Sequence, residues 1–464
     1  MKQPWYLPKR AIAVTITILT LAIFIGCNRK DPVVHVGSPS PLASESAAPE
    51  ETAAPETPVP VPQRTPNQTG APSEAKPTEA NGAGAYTIAA NTSESQKTYY
   101  SEQPDENALR VENGAEAKLD GASVEKRAGD ASSLVDTLTH GLNAAVLTRG
   151  GASLTLLNSE VLSGPLGAGG ALACCGKIEF AESTIRTTGD SSFGLAAAAG
   201  GSVTARETNI ATQGGNSPAI RAADQASISL EGGIVSTGGK KSPLLDAAGM
   251  ILAENATFRA SESAAVMVNA GGSVVLTDCA VSGRMGDVIS ADALVNPYCV
   301  ALYRGAEGAE GTSVFSMTRG ALTAQKGDVF FATNTNATID LEGVAVSRGE
   351  GSLLLRVSGN DGSLGWGKAG RNGATCTLSA NDQTLSGDIV VDEQSAVSLL
   401  LKGDSSYTGT VNTANTAKAA KVTLEDGSTW TLTGNAYLTA FSGRVSSIVT
   451  NGFTVYVDGN PLSK

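Results

Sequence analysis

The sequence predicts an all-β chain wound as a parallel β-helix, and three observations carry that expectation. Apolar residues recur in one fixed phase about every 24 positions across residues 154–422. Within each repeat they alternate with polar residues at strand spacing. No segment after Asn81 sustains the spacing of three to four residues over about ten positions that an amphipathic helix needs.

Each repeat reads as a first strand, a polar corner, further strands and a Gly-rich corner. Leu154, Ile178, Val203, Ile228, Ile251 and Val274 open successive repeats. Two positions on come Leu156, Phe180, Ala205, Leu230, Ala253 and Leu276, which share a face with the openers. Seven positions on come Val161, Ile185, Ile210, Val235, Phe258 and Val281, the inward residues of a second strand. A further apolar stretch follows at Leu195, Ile220, Leu244-Leu245, Val266-Met267-Val268 and Val288-Ile289. Glycine pairs such as Gly150-Gly151, Gly200-Gly201 and Gly271-Gly272 then permit positive φ at a corner. Stacked about 4.8 Å apart, some 12 such coils make a rod of roughly 55–60 Å. An antiparallel sandwich would not explain the long-range phase, because hairpins impose none.

Both ends of a repeat stack need closing. Trp430, Tyr437, Phe441, Phe453 and Tyr456 concentrate in a chain otherwise poor in aromatics, and are expected to plug the C-terminal end. Tyr86, Tyr99 and Tyr100 are candidates for the other.

The N-terminus has a different character. Lys2, Lys9 and Arg10 precede an apolar run at 11–25 that is too short for a spanning helix and reads as a secretory signal over residues 1–26. Residues 27–83 are dominated by Pro, Ala, Glu, Ser and Thr, with little to bury, and are expected to be a disordered spacer. As coil such a spacer would reach about 40 Å. The β-helix with its aromatic cap is assigned to residues 84–464. A net charge of −12 argues against nucleic acid as a partner.

The chain resembles known proteins at two levels. Phe24-Ile25-Gly26-Cys27 is similar to the lipobox of bacterial lipoproteins, which implies diacylglycerol on Cys27 and anchorage in a lipid bilayer; Phe24 stands where Leu is preferred. KRAGDASSL, TTGDSSFG, TQGGNSPAIRA, STGGKKSPLL, FATNTNATIDL, GWGKAGRNG and GSTWTLTGNAYL resemble adhesin-like right-handed parallel β-helix surface lipoproteins of Gram-positive bacteria. That resemblance spans residues 86–464, and the last coils are also similar to autotransporter adhesin passengers. It implies a pectin-lyase-like fold on the outer face of a cell membrane, with an adhesin-like role.

Enzymatic chemistry finds few residues to carry it. Glu182, Glu207, Glu231 and Glu254 fall at nearby but unequal phases among Ser, Asn and Gly, and read as a solvated face. A polysaccharide lyase or glycoside hydrolase would need paired carboxylates or a phase-locked base beside acidic residues. The two histidines are His35, in the spacer, and His140, expected at a polar corner, so no Ser-His-Asp set is expected. Cys174, Cys175, Cys279, Cys299 and Cys376 lack the spacing of a zinc site or a disulfide framework. Cys376 reads as a small buried hydrophobe, and at most one of Cys174 and Cys175 faces outward. No catalytic residue, cofactor or metal is therefore assigned.

Two interruptions of the repeat are the most suggestive feature. The coil opened by Val274 runs on through LVNPYCVALYRGAEGAEG until a new start at Val314; that opened by Ile339 runs on through NDGSLGWGKAGRNG until Cys376. Both are expected to leave one corner about two coils apart. They would display Tyr298, Tyr303, Arg304, Glu307, Glu310, Asp361, Trp366, Lys368 and Arg371, rings with mixed charges that suit a sugar face or a partner protein. The plainer alternative is that Tyr303 and Trp366 pack the loops onto the rod. The reading that follows is a lipid-anchored, non-enzymatic surface protein binding glycan or protein. A polysaccharide-active enzyme and a passive cell-wall element stand as alternatives.

Overall fold

The structure, a computed structural model, describes residues 80–285, 288–290, 293–295, 297–305 and 309–463, with backbone alone for 288–290 and 293–295. The signal segment, Cys27, nearly all of the spacer and Glu307 lie outside the described residues. The described chain is all-β apart from two short helical turns, and its strands run in long parallel sheets.

Successive repeats stack in register. Ser153–Leu157, Lys177–Ala181, Ser202–Arg206 and Ser227–Glu231 form part of a first face, with Leu154, Ile178, Val203 and Ile228 opposite one another. Glu160–Ser163, Thr184–Thr187, Asn209–Thr212 and Ile234–Thr237 form the second, aligning Val161, Ile185, Ile210 and Val235. A third face of 12 strands begins at Ala83–Ile88 and ends at Ile389–Val391. Neighbouring strands on all three faces are parallel, and one apolar core runs between the faces, from Tyr99 to Val455. The alternation read in the sequence is thus the alternation of core and solvent.

The corners are built from polar residues that point back at the backbone. Ser183 Oγ accepts from Ser159 N (3.1 Å), and Ser159 Oγ accepts from Ala122 N (3.0 Å). At the next corner Ser217 Oγ accepts from Ser192 N (3.1 Å), and Ser242 Oγ from Ser217 N (3.0 Å). These stacked hydroxyls are why TTGDSSFG, TQGGNSPA and TGGKKSPL look alike: Ser217 and Ser242 each supply the coil before with an acceptor at a buried amide, and Ser192 opens the row.

The C-terminal plug is present. Trp430 is fully buried, stacked on Tyr407 at 6.2 Å, and its Nε1 donates to Gly409 O (3.0 Å). Tyr437 and Tyr456 stack at 5.0 Å, and Val455–Val457 receives the antiparallel Asn460–Pro461. Phe441 packs on the core, whereas Phe453 is exposed. At the other end Tyr99 is buried, but Tyr86 and Tyr100 stand largely in solvent, with Arg127 over the Tyr100 ring.

Four details differ from the expectation. Val288-Ile289 is not a third-face strand: it pairs antiparallel with 294–295 in a hairpin, and Val266 is opposite Val300 of Tyr298–Tyr303. The described part of the first interruption is therefore split, with the hairpin strands between the second and third faces and residues 304–305 and 309–311 beyond the third. Val274 pairs with Phe315 rather than Val314, because Phe315 is the buried residue of the two; Ile339 pairs with Leu378 rather than Cys376, because its strand already turns Ala337 to the core opposite Cys376. Finally, a helix spans Leu134–His140, capped by Ser133 Oγ and by Gly141 at φ 75°. His140 ends that helix instead of forming a corner, with its Nδ1 3.2 Å from Asp136 Oδ1. Seven residues are too few to leave a clear helical period.

Candidate binding face

The outer side of the third face carries two covered stretches. Outward-facing Leu147, Leu172 and Ala196 lie at one, where Leu138 of the helix packs against them. Ala301 and Phe331 lie at the other, covered with Tyr298, Met267, Tyr303 and Trp366. Arg221 and Asp246 occupy the two coils between these stretches, opposite one another in register, and their side chains form an ion pair. They are 30% and 16% exposed, the most polar part of an otherwise apolar strip.

The residues predicted to form a patch separate into two groups. Tyr298 is buried against Phe331 at 5.5 Å. Trp366 comes from the loop at 358–374 and stacks on Tyr303 at 4.3 Å, an interplanar angle of 32°. That leaves Trp366 only 9% exposed. The rings therefore seat the loop on the rod, and the half-buried Tyr303 packs with Met267, the residue next in register to Asp246. Arg304, Glu310, Asp361, Lys368 and Arg371 are exposed, as expected. Asp361 turns inward onto its own loop, accepting from Ser363 N (2.9 Å) and Ser363 Oγ (2.6 Å), and these bonds hold its carboxyl below the usual range. Arg304 reaches Asn334 Oδ1 at 3.4 Å. Arg304 and Ser358, which follow third-face strands two steps apart, do begin their segments at the same corner, whereas the hairpin lies at another.

Three asparagines hold the Trp366 loop in place, and the sequence reading passed over all of them. Asn334 Nδ2 donates to Arg304 O (2.9 Å), tying the first loop to the intervening coil. Asn360 Nδ2 donates to Trp366 O (2.9 Å) and Thr333 Oγ1 (2.8 Å). Asn372, fully buried, donates to Asn360 O (2.9 Å) and Trp366 O (3.1 Å). Gly367 has φ +75°, and a Cβ there would meet Asn334 Oδ1 at 2.7 Å. The signal for these roles was FATNTNATIDL and GWGKAGRNG, where Asn recurs on both sides of the interruption. Arg221 and Asp246 were also missed: each is a single charge inside an apolar strand, IRA and LDA.

Burial raises the Tyr303 phenol well above its usual value, Asp246 adds to the rise and Arg221 opposes it. Next along the face Arg356 Nε donates to Asp328 Oδ2 (2.7 Å) while Leu353 N donates to Asp328 Oδ1 (3.0 Å), a structural pair that fixes the strand. Cys299 and Cys376 are buried thiols that burial pushes up to about 12, and Cys279 is raised in the same direction. Cys174 is buried and Cys175 exposed.

Glu182 and Glu207 sit at left-handed corner positions, and Glu231 pairs with Arg206 at 3.5 Å. No group of three or more potential metal ligands occurs among the described residues. Nor is any helix among them long and apolar enough to cross a membrane. Compared with known families and with curated proteins, the chain matches no family model and no curated protein.

Proposed function

We propose that the chain is a right-handed parallel β-helix held on the outer face of a Gram-positive cell membrane through lipid on Cys27, and that it binds a glycan or protein partner without turning it over. One observation supports the binding reading most. A regular stack of coils is interrupted on one side by a loop whose every turn is tied down: Trp366 stacked on Tyr303, with Asn360 and Asn372 both donating to Trp366 O. Loops with no role are free to vary in form, whereas binding sites need a fixed one. The lipobox-like Phe24-Ile25-Gly26-Cys27 and the Pro-rich spacer support display at a distance from the bilayer.

The test has two arms. Replacing residues 359–371 with a two-residue corner should abolish binding to bacterial or host cells while leaving the far-UV circular dichroism unchanged. Adherence equal to wild type would reject the binding role of this face. Release of reducing ends or unsaturated uronate from polysaccharides by the wild-type chain would replace the binding reading with an enzymatic one. For the anchor, Cys27→Ser should shift the chain from the membrane fraction to the medium, and retention would reject lipidation.

A further inference from the structure

The proposed binding role leaves open which chemistry does the recognising, and the charged loop tips are not where the structure concentrates it. Arg221 and Asp246 sit on adjacent coils of the third face, in the gap between the stretch covered at Leu147 and Leu172 and the stretch covered at Ala301 and Phe331. Asp246 is followed in register by Met267, and Met267 packs with Tyr303 and Trp366. One direction along the rod thus gives guanidinium, carboxylate, thioether and stacked rings.

Around the pair the partly exposed outward neighbours are small, Ala223 and Ala248, while Ala196 and Ala198 are already buried in the covered stretch that bounds the gap. A ligand can therefore lie close against the strands. Asp246 Oδ2 takes the only hydrogen bond described from the Arg221 guanidinium, and Arg221 Nε has none among the described residues. The pair is held by one contact, not a bidentate fork.

Resting on the surface-binding reading, we propose that the gap at Arg221–Asp246, bordered by Tyr303, is a site for a neutral polyhydroxylated sugar chain. A carboxylate only accepts hydrogen bonds and a guanidinium only donates them. A vicinal diol does both, so it matches the two members together. A purely anionic ligand would be set against Asp246, and a purely cationic one against Arg221. The paired charges cancel locally, and the chain's net charge of −12 works against acidic polymers at longer range. The apolar face of a sugar ring meets Met267 and the Tyr303 edge, where a charged headgroup would find no partner.

The experiment measures binding of the full chain to amylose, mannan, galactan and xylan, with polygalacturonate as the acidic comparison. At least one neutral polymer should bind, and saturation should shift tryptophan emission through the Tyr303–Trp366 stack. Asp246→Asn, which keeps the shape, and Arg221→Gln should each weaken binding tenfold or more. Lys368→Ala with Arg371→Ala at the loop tip should leave it unchanged. The site is overturned if both pair variants bind like wild type, if emission is unmoved at saturation, or if polygalacturonate alone binds. If no neutral polymer binds but the loop-shortened chain still loses cell adherence, this site falls while the binding reading stands with a protein partner.

Discussion

Asn372 donates to the backbone carbonyl of Trp366 at 3.1 Å, from a position with no solvent exposure. The indole is held against Tyr303 from behind, by its own carbonyl, as much as from the front by ring contact. Asn360 donates to the same carbonyl, so both lone pairs of one oxygen are occupied. The loop is fixed at the residue that matters most for its position.

Asn372→Ala should therefore loosen the loop without unwinding the stack. Losing the two donated bonds and leaving Trp366 O partly unpaired should cost about 1–3 kcal/mol. Tryptophan emission should shift to longer wavelength while far-UV circular dichroism stays constant. An unshifted spectrum at unchanged stability would show that the ring stack holds the loop alone.

How much of this was legible in advance depends on whether a residue repeats. Leu154, Ile178, Val203 and Ile228 recur because each coil presents the same inward site to one core, so their phase is visible over hundreds of residues. Tyr303 and Trp366 were visible as aromatics in the two interruptions, yet their mutual stacking depends on a loop folding back across two coils. No local period encodes that. Arg221 and Asp246 fall at outward positions of strands, where nearly any residue is tolerated. Only the register that sets them opposite each other, 25 residues apart, makes them a pair. Val288-Ile289 misled for a related reason: a hairpin strand carries the same apolar alternation as a coil strand.

A second prediction concerns Lys126, fully buried near the N-terminal end and donating to Ser101 Oγ (3.2 Å) and Gln103 O. Burial lowers its pKa to about 8, although Glu106 and Asp105 oppose the shift. The folded value lies below the ordinary 10.5, so the unfolded chain holds the proton more tightly. Below about pH 8 both states are charged and the burial penalty is complete. Between about 8 and 10.5 the folded state releases its proton first, and Lys126 contributes increasing stability. Denaturant midpoints across that window should rise more steeply in wild type than in Lys126→Met. Parallel profiles would show that this lysine keeps its ordinary pKa.

The C-terminal plug should be energetically expensive to remove. Trp430 has no solvent exposure, and its truncation leaves Tyr407 without its stacking partner and Gly409 O without its donor. Trp430→Ala should cost about 3–5 kcal/mol. Because coils touch only their neighbours, the loss should begin at this end. Hydrogen exchange should quicken first in Ala419–Leu424 and Ser406–Thr408, with coils near Val161 affected least. Uniform acceleration along the rod would mean that the stack unfolds as one unit.

Glu182 offers a stabilising change. It turns the corner between the first and second faces at φ 50°, where its neighbours in the stack are Asn158 at 49° and Glu207 at 42°. A left-handed backbone crowds Cβ against the following carbonyl, and asparagine tolerates it better than glutamate does. The Glu182 side chain takes part in no described ion pair that its replacement would break. Glu182→Asn should therefore raise stability, by about 1 kcal/mol if most of the strain is relieved. The complementary change, Asn158→Glu, should lower it, with the added loss of the 2.9 Å bond from Asn158 Nδ2 to Asp120 Oδ1. Urea midpoints for the two variants should move in opposite directions. If both fall, the corner is governed by side-chain contacts and not by backbone preference.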